Sequence, residues 1–180
     1  MDTITLPRTG VWTIDPAHTV VGFAARHLVA AKVRGSFKTF SGKIDIAASA
    51  EDSSVEVSID AASIDTGVAD RDAHLRSPDF LDTENFPTLE FRSTAVRSTG
   101  SSYEVDGELT IRGVARPVTL QMAYLGVMSD PWGNEKAMFS ASTEIEREEW
   151  GLTWNQALEA GGWLVGKTVS IELEIQAGLS

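Results

Sequence analysis

Cysteine is absent from the 180 residues. That excludes disulfides and thiolate metal ligands and leaves the redox compartment undecided. No window approaches the roughly 20 apolar residues of a membrane span, so no transmembrane segment is expected. Positive charge is scarce: 15 Lys and Arg stand against 26 Asp and Glu, for a formal net charge of -11 and a pI near 4.6. That balance repels a phosphate backbone, so nucleic acid is not an expected partner. An anionic membrane surface is disfavoured for the same reason. The first ten residues, MDTITLPRTG, show no basic start and apolar run of a secretory signal. With Met1 in place, the chain reads as an unprocessed, cytoplasmic protein.

Signatures of catalysis are also missing. There is no GxSxG elbow, HExxH pair, GxGxxG turn or P-loop. Adjacent carboxylates such as Glu148 and Glu149 would point to opposite faces of a strand. A zinc site from His18, His27 and His74 is conceivable chemically, but nothing in their spacing supports it. Neither a metal nor a cofactor is expected.

What is present is alternation. Val21, Phe23, Ala25 and His27 share one parity, as do Val33, Gly35 and Phe37, then Val55, Val57 and Ile59. Leu89 and Phe91 start a further row. Tyr103, Val105, Leu109 and Ile111 follow, then Val118, Leu120, Met122 and Tyr124. Phe139, Ala141, Thr143 and Ile145 make another. Val169, Ile171, Leu173 and Ile175 close the chain with the cleanest pattern. Such period-2 runs mark half-buried strands. Between Phe37 and Phe40 the parity slips, which marks a bulge or corner, with Gly42 as the residue to permit a sharp bend. Eight or nine strands with mostly short links favour antiparallel neighbours in a barrel or a sandwich. A length of 180 residues suits one domain, residues 1–180, burying roughly 70% of its unfolded surface.

One stretch departs from the pattern. Residues 63–89 contain DRDAHLRSPDFLD, with charges of both signs, His74, and the apolar anchors Phe80 and Leu81. Val68, Leu75 and Phe80 are spaced for a short helix, and Pro78 and Pro87 punctuate it. A packed, mostly helical connection is expected around residues 66–82, lying across the end of a sheet.

His27 shares a face with Phe23. It reads either as a satisfied core histidine or as a polar group fixing a ligand head group in a cavity. His74 and Arg76 carry the same two readings, and Arg71, Asp72 and Arg76 also suit a network that pins the connection. Trp150, Trp154 and Trp163 cluster in an irregular segment, residues 148–163, where aromatic surfaces suit a cavity entrance. A barrel of about eight strands is near the size that holds one small ligand.

The sequence resembles the YceI-like family of polyisoprenoid-binding proteins with a lipocalin-like barrel. The resemblance rests on WTIDPAHTVVGF, VRGSFKTFSG, SVEVSIDAASIDTGVADRDAHLRSPDFLD, FPTLEF, GELTIRGVARPVTL, DPWGN, GLTWNQALEAGGWLVG and VSIELEI. It implies an eight-stranded antiparallel barrel whose apolar tunnel holds a long isoprenoid chain, a quinone or a precursor, for carriage, storage or sequestration rather than catalysis. Many relatives carry a secretory signal, and this chain departs from them there. The tunnel wall would be Val21, Phe23, Val33, Phe37, Ile59, Phe91, Phe139 and the tryptophan segment, with Phe80 beside it. His27, His74 and Arg76 are the candidates for the polar end. Two rivals stand beside this reading. One is an enzyme acting on such a lipid with His27 or His74 as acid or base. The other is a stress-linked interaction protein with a filled barrel. Pairing of two copies through an edge or the long connection is open.

Overall fold

A computed structural model describes residues 6–180. Its strands are β1 (Gly10–Ile14), β2 (Val20–His27), β3 (Ala31–Phe37), β4 (Phe40–Ile46), β5 (Ser54–Asp60) and β6 (Ile64–Asp65), then β7 (Thr88–Ser98), β8 (Tyr103–Ile111), β9 (Val114–Ser129), β10 (Glu135–Glu146) and β11 (Val165–Leu179). Among the described residues a single short α-helix, α1 (Ala69–Arg76), lies between β6 and β7. No helix among the described residues is long and apolar enough to cross a membrane.

The eleven segments make eight staves. β1 and β2 share one stave, broken by a 3-10 turn at Pro16–His18. β3 and β4 share the next, and β5 and β6 the third, because β2 pairs β3 while β1 pairs β4, and β3 pairs β6 while β4 pairs β5. From β7 onward each strand pairs the next, and β11 closes the ring on both β1 and β2. Every pairing is antiparallel. The result is the eight-stranded antiparallel barrel that the family resemblance implied, with the antiparallel neighbours expected from the short links, and closure leaves no long sheet edge to guard.

Turn chemistry follows the backbone. The β8–β9 turn places Arg112 at φ 50° and Gly113 at φ 73°, a type I′ geometry that matches strand twist. The corner between β3 and β4, in the second stave, falls at residues 38–39, where the Lys38 amide donates to Ser63 O (3.1 Å) and Thr39 O accepts from the Asp60 amide (2.9 Å). Phe37 and Phe40 therefore both face inward, which explains the parity slip. The bend is not at Gly42, as the pattern suggested. Gly42 is needed for close approach: a Cβ there would meet Glu56 O at 2.7 Å and Ile14 Cδ1 at 2.8 Å.

The two ends of the barrel differ. The floor end carries the 130–134 turn, the start of β10 and the end of β11. It is filled by Trp12, Ile44, Ile46, Ala137, Phe139 and Ala177, with the Trp12 indole donating to Arg8 O at 3.0 Å. The loop end carries the β2–β3 turn, the connection of residues 61–87 and the segment of residues 147–164. An eight-residue helix is not stable alone, and here side-chain bonds hold it. Arg76 donates to Ala62 O (2.8 Å) and Ile64 O (2.9 Å). The buried Asp72 accepts from the Thr66 amide (2.8 Å) and hydroxyl (2.6 Å), and Arg71 donates to the same hydroxyl at 2.7 Å. Burial pushes the Asp72 carboxyl up, but the two Thr66 bonds and the Arg76 and Arg71 charges outweigh it, so its pKa is lowered.

Candidate ligand-binding cavity

Between these ends the barrel is hollow. The inward rows of all eight staves enclose a cavity of about 240 Å³. This lies just below the roughly 300–1,000 Å³ of typical small-molecule pockets. Its wall is aliphatic and phenyl side chains, and among the described residues the only hydrogen-bonding side chains on it are Thr19, Thr143 and Arg147.

Two glycines keep the lumen open. Phe23 lies directly opposite Gly35, and a Cβ on Gly35 would sit 2.5 Å from the Phe23 ring. Phe91 lies over Gly107 in the same way, at 2.3 Å. Each ring lies flat against the neighbouring stave instead of projecting across the barrel. The loop end is covered by Leu75, Phe80 and Leu81 from the α1 connection and by Leu152.

Arg147 is the charged residue of the wall. It is 3% exposed, and among the described residues no carboxylate pairs with it. Its guanidinium donates to Gly166 O (2.9 Å), Leu152 O (2.6 Å), Trp154 O (3.0 Å) and Val165 O (3.4 Å). It thereby folds residues 147–166 back over the loop end. Burial lowers its pKa, partly opposed by the charge of Glu148. The parity row Phe139, Ala141, Thr143, Ile145 runs on to Arg147, so a charge on an apolar parity was the signal that could have singled it out.

The residues expected on the tunnel wall divide. Val21, Phe23, Phe37, Ile59, Phe80 and Phe91 line the cavity together. Phe139 faces inward but belongs to the packed floor, 1% exposed and 5.4 Å from the Tyr124 ring. Val33 is on the projecting part of β3, where its far side has no strand partner beyond Ser36. His27 keeps the inward parity of β2, but the register with β11 shifts between Val165 and Val169, and His27 sits past that bulge, off the wall.

Arg76 is spent on the two carbonyls above. His74 bonds Asp79 (Nε2 to Oδ2, 2.9 Å) and meets Trp154 and Phe80 edge-on at 4.6 and 5.1 Å. Trp154 stacks beside Phe80 at 5.4 Å, one layer outside the lumen. Trp150 is 1% exposed, its indole donating to Leu109 O at 2.9 Å, and it plugs the barrel wall. Trp163 is 55% exposed. Among the described residues no three His, Asp or Glu side chains are placed to hold a metal ion.

The YceI-like domain family model matches residues 12–177. The chain belongs to the YceI-like family. Protein YceI of Escherichia coli O157:H7 is 39% identical over 137 residues, 75% of this chain and 71% of that protein. Among solved structures, the Campylobacter jejuni YceI protein superposes with a TM-score of 0.74 at 30% identity, covering 100% of this chain and 99% of that one. A polyisoprenoid binding domain from Saccharophagus degradans, implicated in plant cell wall breakdown, shares the fold with a TM-score of 0.71 at 13% identity, covering 96% and 100% of the two chains. The YceI-like barrel is thus the frame in which the cavity sits.

Proposed function

We propose that the barrel holds one long-chain isoprenoid or a related amphiphile such as a quinone, for carriage, storage or sequestration. The observation that carries this reading is the apolar lumen, packed solid at the floor and covered by connections at the other end. The like-folded domain from Saccharophagus degradans bears the name of a polyisoprenoid binder. Burial gains roughly 0.8 kcal/mol per CH2, so about 4 kcal/mol per five-carbon unit. Two or three units offset much of the roughly 4–15 kcal/mol that association costs. Chain length and fit then set affinity more than head-group chemistry does.

The polar end moves from the histidines to other residues. The Thr143 hydroxyl faces the lumen with no hydrogen-bond partner among the described residues, whereas Thr19 is bonded to Gln176 at 3.1 and 3.3 Å. Thr143 and the uncommitted N–H of Arg147 are the groups to receive a head-group oxygen. Among the described residues the wall carries no His, Asp or Glu, which favours carriage over acid–base catalysis there. The loop end, built of connections, is the way in.

The test is titration of delipidated protein with prenyl alcohols and quinones of increasing length, followed by native mass spectrometry. One bound molecule per chain, with affinity rising and then levelling with length, is expected. No binding at any length would overturn the reading, and conversion of the bound lipid would reopen the enzymatic one.

A further inference from the structure

The acidic balance of the whole chain hides a local reversal. The hairpin of β2 and β3 carries Arg26, Lys32, Arg34 and the following Lys38, and no Asp or Glu lies among residues 16–44. Arg26 is directly opposite Lys32, and Arg34 is opposite Ala24 on the same outward row. Successive outward residues are about 7 Å apart, so three cations form one compact patch on the outer face. None of the three has a hydrogen bond or carboxylate partner among the described residues. The acids paired against the hairpin from its neighbours are Glu172, opposite Gly22, Glu174, opposite Val20, and Asp65, opposite Ser36, all farther from the tip.

The tip is apolar and its backbone conformation is unusual. Leu28 is 50% exposed at φ 51°, and Val29 is 70% exposed at φ 68°. A left-handed β-branched residue is a conformational outlier, and positions of positive φ are served by Asn and Gly. The β8–β9 turn uses glycine at its second position. At residues 28–29 the chain instead places two large apolar side chains in water, where they gain little packing. Trp163 is next to them: the Leu28 amide donates to Leu164 O at 2.9 Å, and Val165 pairs with His27.

We infer that the β2–β3 hairpin docks the loop end of the barrel onto an anionic lipid bilayer, with Leu28, Val29 and Trp163 entering the headgroup layer and Arg26, Lys32 and Arg34 binding the surface charge. Apolar residues flanked by cations suit the interface plane, and tryptophan suits its half-wet depth. Acids more than about 10 Å from the patch oppose docking little, because they are screened at 0.1 M salt. Docking extends the lipid-carrier reading by placing the loop end against a source of lipid, and vesicle binding is measured with no carried ligand present.

The experiment is flotation with vesicles of phosphatidylcholine, with and without phosphatidylglycerol. Binding to the anionic vesicles at low salt, lost as salt rises and absent on phosphatidylcholine alone, is expected, with a blue shift of tryptophan emission that W163F removes. The triple variant R26Q/K32Q/R34Q should bind about a hundredfold more weakly, at roughly fivefold per cation. L28N/V29G, which suits the turn and folds at least as stably, should bind at least tenfold more weakly. W132S, at the floor end, should bind as the parent does. No binding to anionic vesicles at low salt, binding unchanged in the triple variant, or loss in W132S instead would each overturn the proposal. Prenyl-lipid binding without vesicle binding would sink docking and leave carriage standing.

Discussion

The floor and the lumen of this barrel are built from the same staves and the same kinds of residue, yet one is solid and the other hollow. On β10, Ala137 and Phe139 face the floor while Ala141 faces the cavity. On β1 and β4, Trp12 and Ile44 fill the space left by Ala137 and Ala177. Higher up, Phe23 and Phe91 lie flat over glycines and leave the centre open. Whether an inward residue is core or wall depends on the size of the partner across the barrel, not on its own hydrophobicity. The packed end gives the fold its stability, and the open end is free to bind.

Truncation should separate the halves most. Phe139→Ala leaves a hole in close-packed surroundings and should cost about 3–5 kcal/mol. Phe37→Ala borders space already empty and should cost roughly 1–2 kcal/mol, both read by urea unfolding. Equal losses would mean the lumen is filled in solution. Insertion is the converse. Ala137→Phe should cost about 3 kcal/mol or prevent folding, because overpacking a tight core strains it. Ala141→Phe should change stability by less than about 1 kcal/mol while weakening prenyl-lipid binding at least tenfold.

Arg147→Met tests what organises the loop end. It strands carbonyls of Leu152, Trp154, Val165 and Gly166, and a loss of about 2–4 kcal/mol is expected. Hydrogen exchange should quicken in residues 147–166 and stay slow in β1 and the start of β10. The smallest effect concerns acid. The Asp72 pKa is lowered on folding, so its contribution is full above about pH 4 and is lost as the pH falls through the lowered native value. Asp72→Asn should therefore be less stable than the parent near neutrality and show a flatter loss of stability below pH 4.

Much of the barrel was legible because strand parity is a local property. The rows at Val21, Phe23 and Phe37, at Ile59 and at Phe91 point inward as read. The helix within residues 66–82 was legible from its spacing and its prolines. Phe139 obeys the same parity and still belongs to the floor, because Trp12 and Ile44 of β1 and β4 fill that end of the barrel with it. His27 has inward parity on a strand that has already left the barrel. Arg147 was readable as the next member of an apolar row, but not its four carbonyl partners, all of which lie five or more residues downstream.

By itself the sequence determined the strands, their inward faces, the antiparallel order and the family, since alternation, turn residues and short links act over a few neighbouring positions. The tertiary structure decided where the barrel is solid, where it is hollow, and which cations gather on one hairpin despite a net charge of -11. Those outcomes depend on which side chains meet across a closed sheet, and residues far apart in the chain are brought together only when β11 closes on β1 and β2.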